Sequence, residues 1–231
     1  REYTLIGTTD LLYEGDLDEV RISAEERAYL REAVTRYFRS GVTEEDIVHS
    51  YAGVRPLYED KAASNSTVTR DYVFEIEADG GAPILSVYGG KITTYRKLAE
   101  HALAKLAKYI EVPERRWTGT APLPGGDMED ADFARFLWNA GERYAWLPPE
   151  MLLRLARAYG TRVDMLLGNA RSLGDLGLHF GGDLYQREVE YLIAHEFAQC
   201  PQDVLWRRSK LGLHLAQDAQ DALASWFATR N

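Results

Sequence analysis

The sequence predicts an α+β fold, a strand-and-helix portion followed by an all-helical portion, and three observations predict it. In the first 110 residues β-branched and alternating segments interleave with helical apolar patterns. Residues 111–124 are rich in proline and turn formers and read as a linker. From 125 to 231 almost every patterned segment has helical period.

The elements follow in order. YTLIGTTD, residues 3–10, is apolar and β-branched and reads as a strand. DLLYEGDLDEV is an irregular connector. Ser23 opens a capping box with Glu26, and Leu30, Ala33, Val34, Tyr37 and Phe38 follow at helical spacing. A helix over 24–40 with Gly41 as C-cap results. Thr43 caps a short turn into DIVHSYAGVRPLYE, a second strand-like run, and EDKAASNSTVT (59–69) suits a surface loop. RDYVFEIEA alternates apolar and polar residues, DGG turns, and APILSVYGG returns as the second strand of a hairpin. From Thr93 a helix begins, with Tyr95, Leu98, Ala102, Leu106 and Tyr109 on one face. Beyond the linker, helical patterns cover 129–141, 149–158, 161–170, 183–199, 202–213 and 216–229, several with prolines or Asp183 at their starts.

Composition narrows the function. The net charge of -9 argues against general nucleic-acid binding, which needs basic surface. A single cysteine, Cys200, forbids an internal disulfide and makes a reducing compartment the default. No apolar run reaches the ~20 residues of a membrane span, and no signal peptide is visible. The chain starts at Arg1 inside what reads as a strand, which is expected of a piece of something longer.

Three features could carry chemistry. Gly89–Gly90–Lys91 joins a strand to a helix. Two glycines permit close backbone approach, and a helix N-terminus with a lysine beside it favours an anion or the electron-rich edge of a cofactor. The same pattern equally suits a plain turn with a solvent-facing lysine. Pro56 holds Arg55 extended, fixing where its guanidinium points, and Arg70 enters the following strand. Either arginine alone also suits a surface ion pair. Neither G-x-G-x-x-G nor the P-loop pattern occurs. The histidines show no paired ligand spacing, and the aromatics of the helical portion fit core packing.

IGTTD, YAGVRPL, TRDY, LSVYGGKITTYRKLAEHAL, LPGG, YG, LLGNA and LWRRSKLGL occur in that order. Together they resemble the C-terminal part of the FAD-dependent (aerobic) glycerol-3-phosphate dehydrogenases, from about Thr4 to Trp226. The resemblance implies oxidation of sn-glycerol 3-phosphate to dihydroxyacetone phosphate, by hydride transfer from C2 to flavin, with electrons passed to quinone. By resemblance Arg55, Arg70 and Lys91 are catalytic and substrate-binding, and Gly89, Gly90, Lys91, Ile92, Thr93 and Thr94 lie at the flavin, with no metal. Residues 1–110 then correspond to part of the FAD/substrate region and 125–231 to a helical C-terminal domain.

It also implies a cytoplasmic protein, its parent peripheral on the membrane, with a homo-oligomer among the compatible assemblies and no nucleic-acid partner. Because the glycine fingerprint and an upstream histidine base are missing, the expectation is an incomplete FAD/substrate portion, a fragment inactive alone that does not retain FAD. A glycerol-3-phosphate oxidase fragment and a non-catalytic helical interaction module are the alternatives.

Overall fold

The computed structural model describes residues 3–55, 71–113 and 116–230. The chain divides into two compact units, one ending at Ala121 and the other running from Pro122. The N-terminal unit mixes strands and helices, and the C-terminal unit is helical apart from one small hairpin.

In the N-terminal unit, α1 spans Ala24–Tyr37. Ser23 caps it: the Glu26 N–H donates to Ser23 Oγ at 3.1 Å and the Ser23 N–H donates back to Glu26 Oε2 at 2.9 Å. Two arginines fasten the helix to the segment that follows. Arg27 and Arg31 both pair with Glu44, and Arg31 Nε donates to the Val42 carbonyl at 3.1 Å.

β1 (Tyr72–Glu77) and β2 (Ile84–Gly89) form the expected antiparallel hairpin, Tyr72 opposite Gly89 and Glu77 opposite Ile84. After a 3₁₀ turn at Ile92–Thr94, α2 runs from Tyr95 to Leu106. His101 of α2 meets the rings of Tyr72 and Phe74 edge-on, at 5.8 and 5.0 Å between centroids, so the helix packs on the hairpin face through aromatics.

Among the described residues neither expected strand forms a ladder: 3–10 and 47–55 belong to no helix or strand. A strand needs a paired neighbour to satisfy its backbone. Here the side chains make the ties instead: Thr9 Oγ1 donates to Glu26, and Arg55 pairs with Asp10. The loop expected at 59–69 lies outside the described residues.

α1 also ends earlier than expected. Phe38 is already extended, and Tyr37 and Phe38 are exposed rather than on a packed face.

The C-terminal unit holds the core. Every buried hydrophobic side chain among the described residues lies between Ala140 and Leu223. α3 (Phe133–Arg143) is capped by Asp132, whose carboxylate accepts from the Arg135 N–H at 3.0 Å. α4 (Pro149–Tyr159) starts with proline at its first position, where no N–H is needed. α5 (Val163–Leu167), α6 (Gln186–Glu196) and α7 (Gln217–Ala228) follow. Leu155, Val163, Leu167, Leu184, Val189, Leu192, Val204 and Leu223 are essentially fully buried among them.

Between α5 and α6, β3 (His179–Gly181) and β4 (Leu184–Tyr185) form a short hairpin, so the helix expected over 183–199 starts only at Gln186. The reason is Gly181 and Gly182, whose φ values of 128° and 56° turn the chain tightly before α6 can start.

The expected helix over 202–213 is likewise broken. Residues Asp203–Arg208 form a π-turn, Ser209 is extended, and a 3₁₀ turn follows at Leu211–Leu213. Ser209 Oγ donates to the Val204 carbonyl at 2.5 Å, and Trp206 lies over Gly212, where a Cβ would come within 2.4 Å of its ring.

Candidate functional site

The two long helices of the N-terminal unit begin in opposite ways. α1 satisfies its own N-terminus with Ser23 and places Glu25 and Glu26 in its first turn. At the start of α2 neither Lys91, before the 3₁₀ turn, nor Thr94, before the helix, makes a side-chain cap, and the first turn carries no acid. It carries Arg96 and Lys97 instead, with Lys91 just upstream. Cations there oppose the helix dipole, so this start lacks by itself the negative charge that a helix N-terminus favours.

Gly89 and Gly90 deliver β2 into this turn at φ values of 68° and 91°. A Cβ on Gly90 would sit 3.2 Å from Tyr72 Cβ and 3.5 Å from Leu98, so the glycine permits both the turn and its close packing on β1. Thr94 Oγ1 donates to the Lys91 carbonyl at 2.8 Å, tightening the turn from within. Ile92 is 86% exposed, an apolar side chain presented to solvent, while the 3₁₀ turn takes the Thr94 and Tyr95 N–H groups onto the Lys91 and Ile92 carbonyls.

The other cations nearby have partners. Arg96 and Lys97 pair with Glu100 at 3.0 and 3.4 Å. A hydrogen bond from Thr118, then the charges of Lys97 and Arg96, hold that carboxyl below its ordinary range. The Lys91 side chain makes no hydrogen bond or ion pair among the described residues and is exposed. Arg55 pairs with Asp10 at 2.8 Å, both side chains about half exposed. No hydrogen bond joins Arg55 to Lys91 among the described residues. Arg70 lies outside the described residues.

Asp10 is the residue that sequence reading missed. It lies 45 positions from Arg55, and nothing local signals the pairing beyond its place at the end of the IGTTD motif.

The donor set fits FAD in kind. Backbone N–H groups at a helix start and an unpaired lysine suit an electron-rich heterocycle edge or a phosphate. Among the described residues no cluster of His, Cys, Asp and Glu could hold a metal ion, and no helix is long and apolar enough to cross a membrane.

Two family models match stretches of the chain. Residues 1–96 match the family model described as FAD dependent oxidoreductase, and residues 116–229 match the C-terminal domain of alpha-glycerophosphate oxidase. In two separate stretches the chain is thus similar to FAD-dependent oxidoreductases and to this C-terminal domain.

Among curated proteins the chain is 48% identical over 230 residues to glycerol-3-phosphate dehydrogenase of Pseudomonas aeruginosa, covering 99% of the chain and 45% of that protein. It is 44% identical over 227 residues to D-erythritol 1-phosphate dehydrogenase of Brucella abortus, covering 98% of the chain and 45% of the relative. Among solved structures it superposes on the Bacillus halodurans glycerol-3-phosphate dehydrogenase complexed with FAD, with a TM-score of 0.77 and 30% identity. That match covers 97% of the chain and 44% of the solved one. The chain spans somewhat under half the length of these relatives.

These findings correct the expectation of a C-terminal part that is inactive alone and does not retain FAD. The FAD-dependent oxidoreductase model matches from residue 1, so sequence of both family modules is present, and the FAD-complexed relative superposes across nearly the whole chain. The glycine fingerprint is one element of a dinucleotide site, and its absence does not speak for the rest.

Proposed function

We propose that this chain serves the oxidation of a phosphorylated polyol at the secondary carbon beside its phosphate-bearing end, with FAD as electron acceptor. Glycerol 3-phosphate is the substrate and dihydroxyacetone phosphate the product. The observation that supports this is the α2 start, which is cationic and uncapped while α1 in the same unit is fully capped.

Gly89, Gly90, Lys91, Ile92, Thr93 and Thr94 would hold the flavin edge. Bound there, FAD supplies a two-electron acceptor for the hydride that leaves C2. The N–H groups at the start of α2 stabilise negative charge at that edge, because they are pre-aligned and cost no reorganisation. Lys91, Arg55 and Arg70 bind the substrate phosphate or polarise the oxygen that becomes a carbonyl. A guanidinium offers two parallel N–H donors to a phosphate, and Lys91 a mobile point charge. In the absence of substrate Asp10 keeps the Arg55 fork oriented and partly neutralised.

Residues 1–110 are read as part of the FAD/substrate region, 111–124 as the linker and 125–231 as the helical domain. Electrons pass on to quinone, and the protein works on the cytoplasmic side, peripheral to the membrane. Peroxide release in place of quinone reduction would mark an oxidase instead.

A second substrate has comparable support. The erythritol phosphate relative matches at 44% identity over as much of the chain as the glycerol phosphate one, and both compounds carry a terminal phosphate on a polyol. Comparing kcat/KM for glycerol 3-phosphate and D-erythritol 1-phosphate in FAD-loaded protein decides between them. Oxidation of neither would overturn the proposal.

A further inference from the structure

We propose that a cleft in the C-terminal unit, between α4, α6 and the π-turn at 203–208, binds a small hydroxylated phosphate ester. The cleft has a volume of about 480 Å³ and is lined by Tyr159, Arg162, Tyr191, His195, Phe197 and Arg208, with Glu196 at its edge. That size suits a small metabolite.

Local rules are broken at three places around it, each on a different group. Tyr191 is 5% exposed, and its hydroxyl is enclosed without a hydrogen-bond partner among the described residues. An unpaired buried hydroxyl costs about 1–3 kcal/mol, and native proteins rarely leave one without a purpose. The neighbouring Tyr159 is no model for it, since that hydroxyl donates to Glu188 at 2.7 Å.

Phe197 ends α6 in the left-handed region, at φ 57°, with its ring 83% exposed. Glycine is the ordinary residue there. A phenylalanine instead sets an apolar wall at the rim of the cleft. The third break is the π-turn itself, a form frequent at functional sites. It carries Arg208 back to α6, where Nε donates to the Glu196 carbonyl at 2.7 Å and Nη2 to the Phe197 carbonyl at 3.3 Å. Rule-breaking of this density marks functional or strained sites.

The donors set the ligand class. The Arg162 side chain makes no hydrogen bond or ion pair among the described residues. With Arg208 and the His195 ring it forms a donor-rich wall suited to a phosphate, and the Tyr191 ring lines the cleft beside them with its hydroxyl enclosed behind the surface. Glu196 is the one carboxylate in the lining. It repels a bare anion but accepts from a hydroxyl, so a phosphate ester that carries hydroxyls fits better than inorganic phosphate.

The test is 19F NMR of the full chain labelled with 3-fluorotyrosine, the Tyr191 resonance being assigned with Tyr191→Phe. Titration with glycerol 3-phosphate is expected to shift that resonance saturably, and inorganic phosphate to do so more weakly. Arg162→Ala should weaken binding at least about tenfold, as loss of a charged hydrogen bond implies. Arg162→Lys, the milder variant should alanine fail to fold, should weaken it less. Lys91→Ala should leave the shift unchanged, which separates this cleft from the α2 junction. No saturable shift with either probe, equal affinity in both Arg162 variants and the parent, or loss of the shift in Lys91→Ala would each overturn the proposal.

Discussion

Removing Arg154 should destabilise the C-terminal unit more than any comparable surface change. Arg154 Nη1 and Nη2 donate to the two Glu188 oxygens, both at 2.7 Å, and Nε donates to Asp183 at 2.7 Å. Glu188 is 2% exposed and also accepts from Tyr159 Oη at 2.7 Å. Burial opposes the Arg154 charge, but Glu188 and Asp183 outweigh it and hold the guanidinium above its ordinary value. Burial first, and then the Glu188 charge, push the Tyr159 hydroxyl up.

With Arg154→Met, a carboxylate buried against Leu and Val side chains keeps one hydroxyl donor and loses its counter-charge. Breaking a buried pair in this way costs about 3–5 kcal/mol. Replacing both partners, Arg154→Met with Glu188→Met, removes the stranded charge and should recover most of that loss. The assay is urea unfolding followed by the fluorescence of Trp146 and Trp226, both half-buried against the core. At a slope of roughly 1.5 kcal/mol per molar urea, the single variant should lower the midpoint by about 2–3 M. A single variant within about 1 kcal/mol of the parent, or a double variant no better than the single, would refute this account of the core.

Other substitutions test other links. Backbone N–H groups of Gln199 and Cys200 and the Arg207 guanidinium hold the Asp203 carboxyl down at about 2, against the pull of burial. Its contribution, on the order of 2 kcal/mol, is complete above the ordinary carboxylate value of about 4 and vanishes as the pH falls through 2. Asp203→Asn should therefore be less stable than the parent at pH 6 and equal to it near pH 2, by urea titration at each pH. Gly160→Ala would bring a Cβ within 1.9 Å of the Gly125 carbonyl at a φ of 55°, and should cost at least ~2 kcal/mol by the same assay. Ser23→Ala removes half of the α1 capping box and should cost about 1 kcal/mol, seen as faster amide exchange in the first turn of α1.

Much of the architecture was legible because it is written in local chemistry. The Ser23–Glu26 box announced α1, the alternation around DGG announced the hairpin, and Pro149 announced α4. What was not legible depends on partners distant in sequence. Residues 3–10 have strand composition, but a strand requires a neighbour, and the chain ties this segment by Thr9 and Asp10 instead. The π-turn at 203–208 has a helical apolar pattern, and only the Ser209 bond to Val204 and the Trp206–Gly212 contact break it.

The site divides the same way. The Gly89–Lys91 junction stands out in sequence because glycines before a helical pattern are rare without a reason. The contrast with the α1 start could be seen only when both helix ends were placed. The Tyr191 hydroxyl gave no sequence signal at all, since a tyrosine in an apolar stretch of helix reads as core.

The central claim is that the α2 start, with Lys91, acts on a phosphorylated polyol. The most direct measurement is anaerobic stopped-flow bleaching of the flavin by glycerol 3-phosphate in FAD-loaded protein, parent against Lys91→Ala. Loss of a charged contact made in the transition state should slow reduction about tenfold or more, with the fold and urea midpoint unchanged. A Lys91→Ala protein that reduces its flavin at the parent rate would contradict the claim.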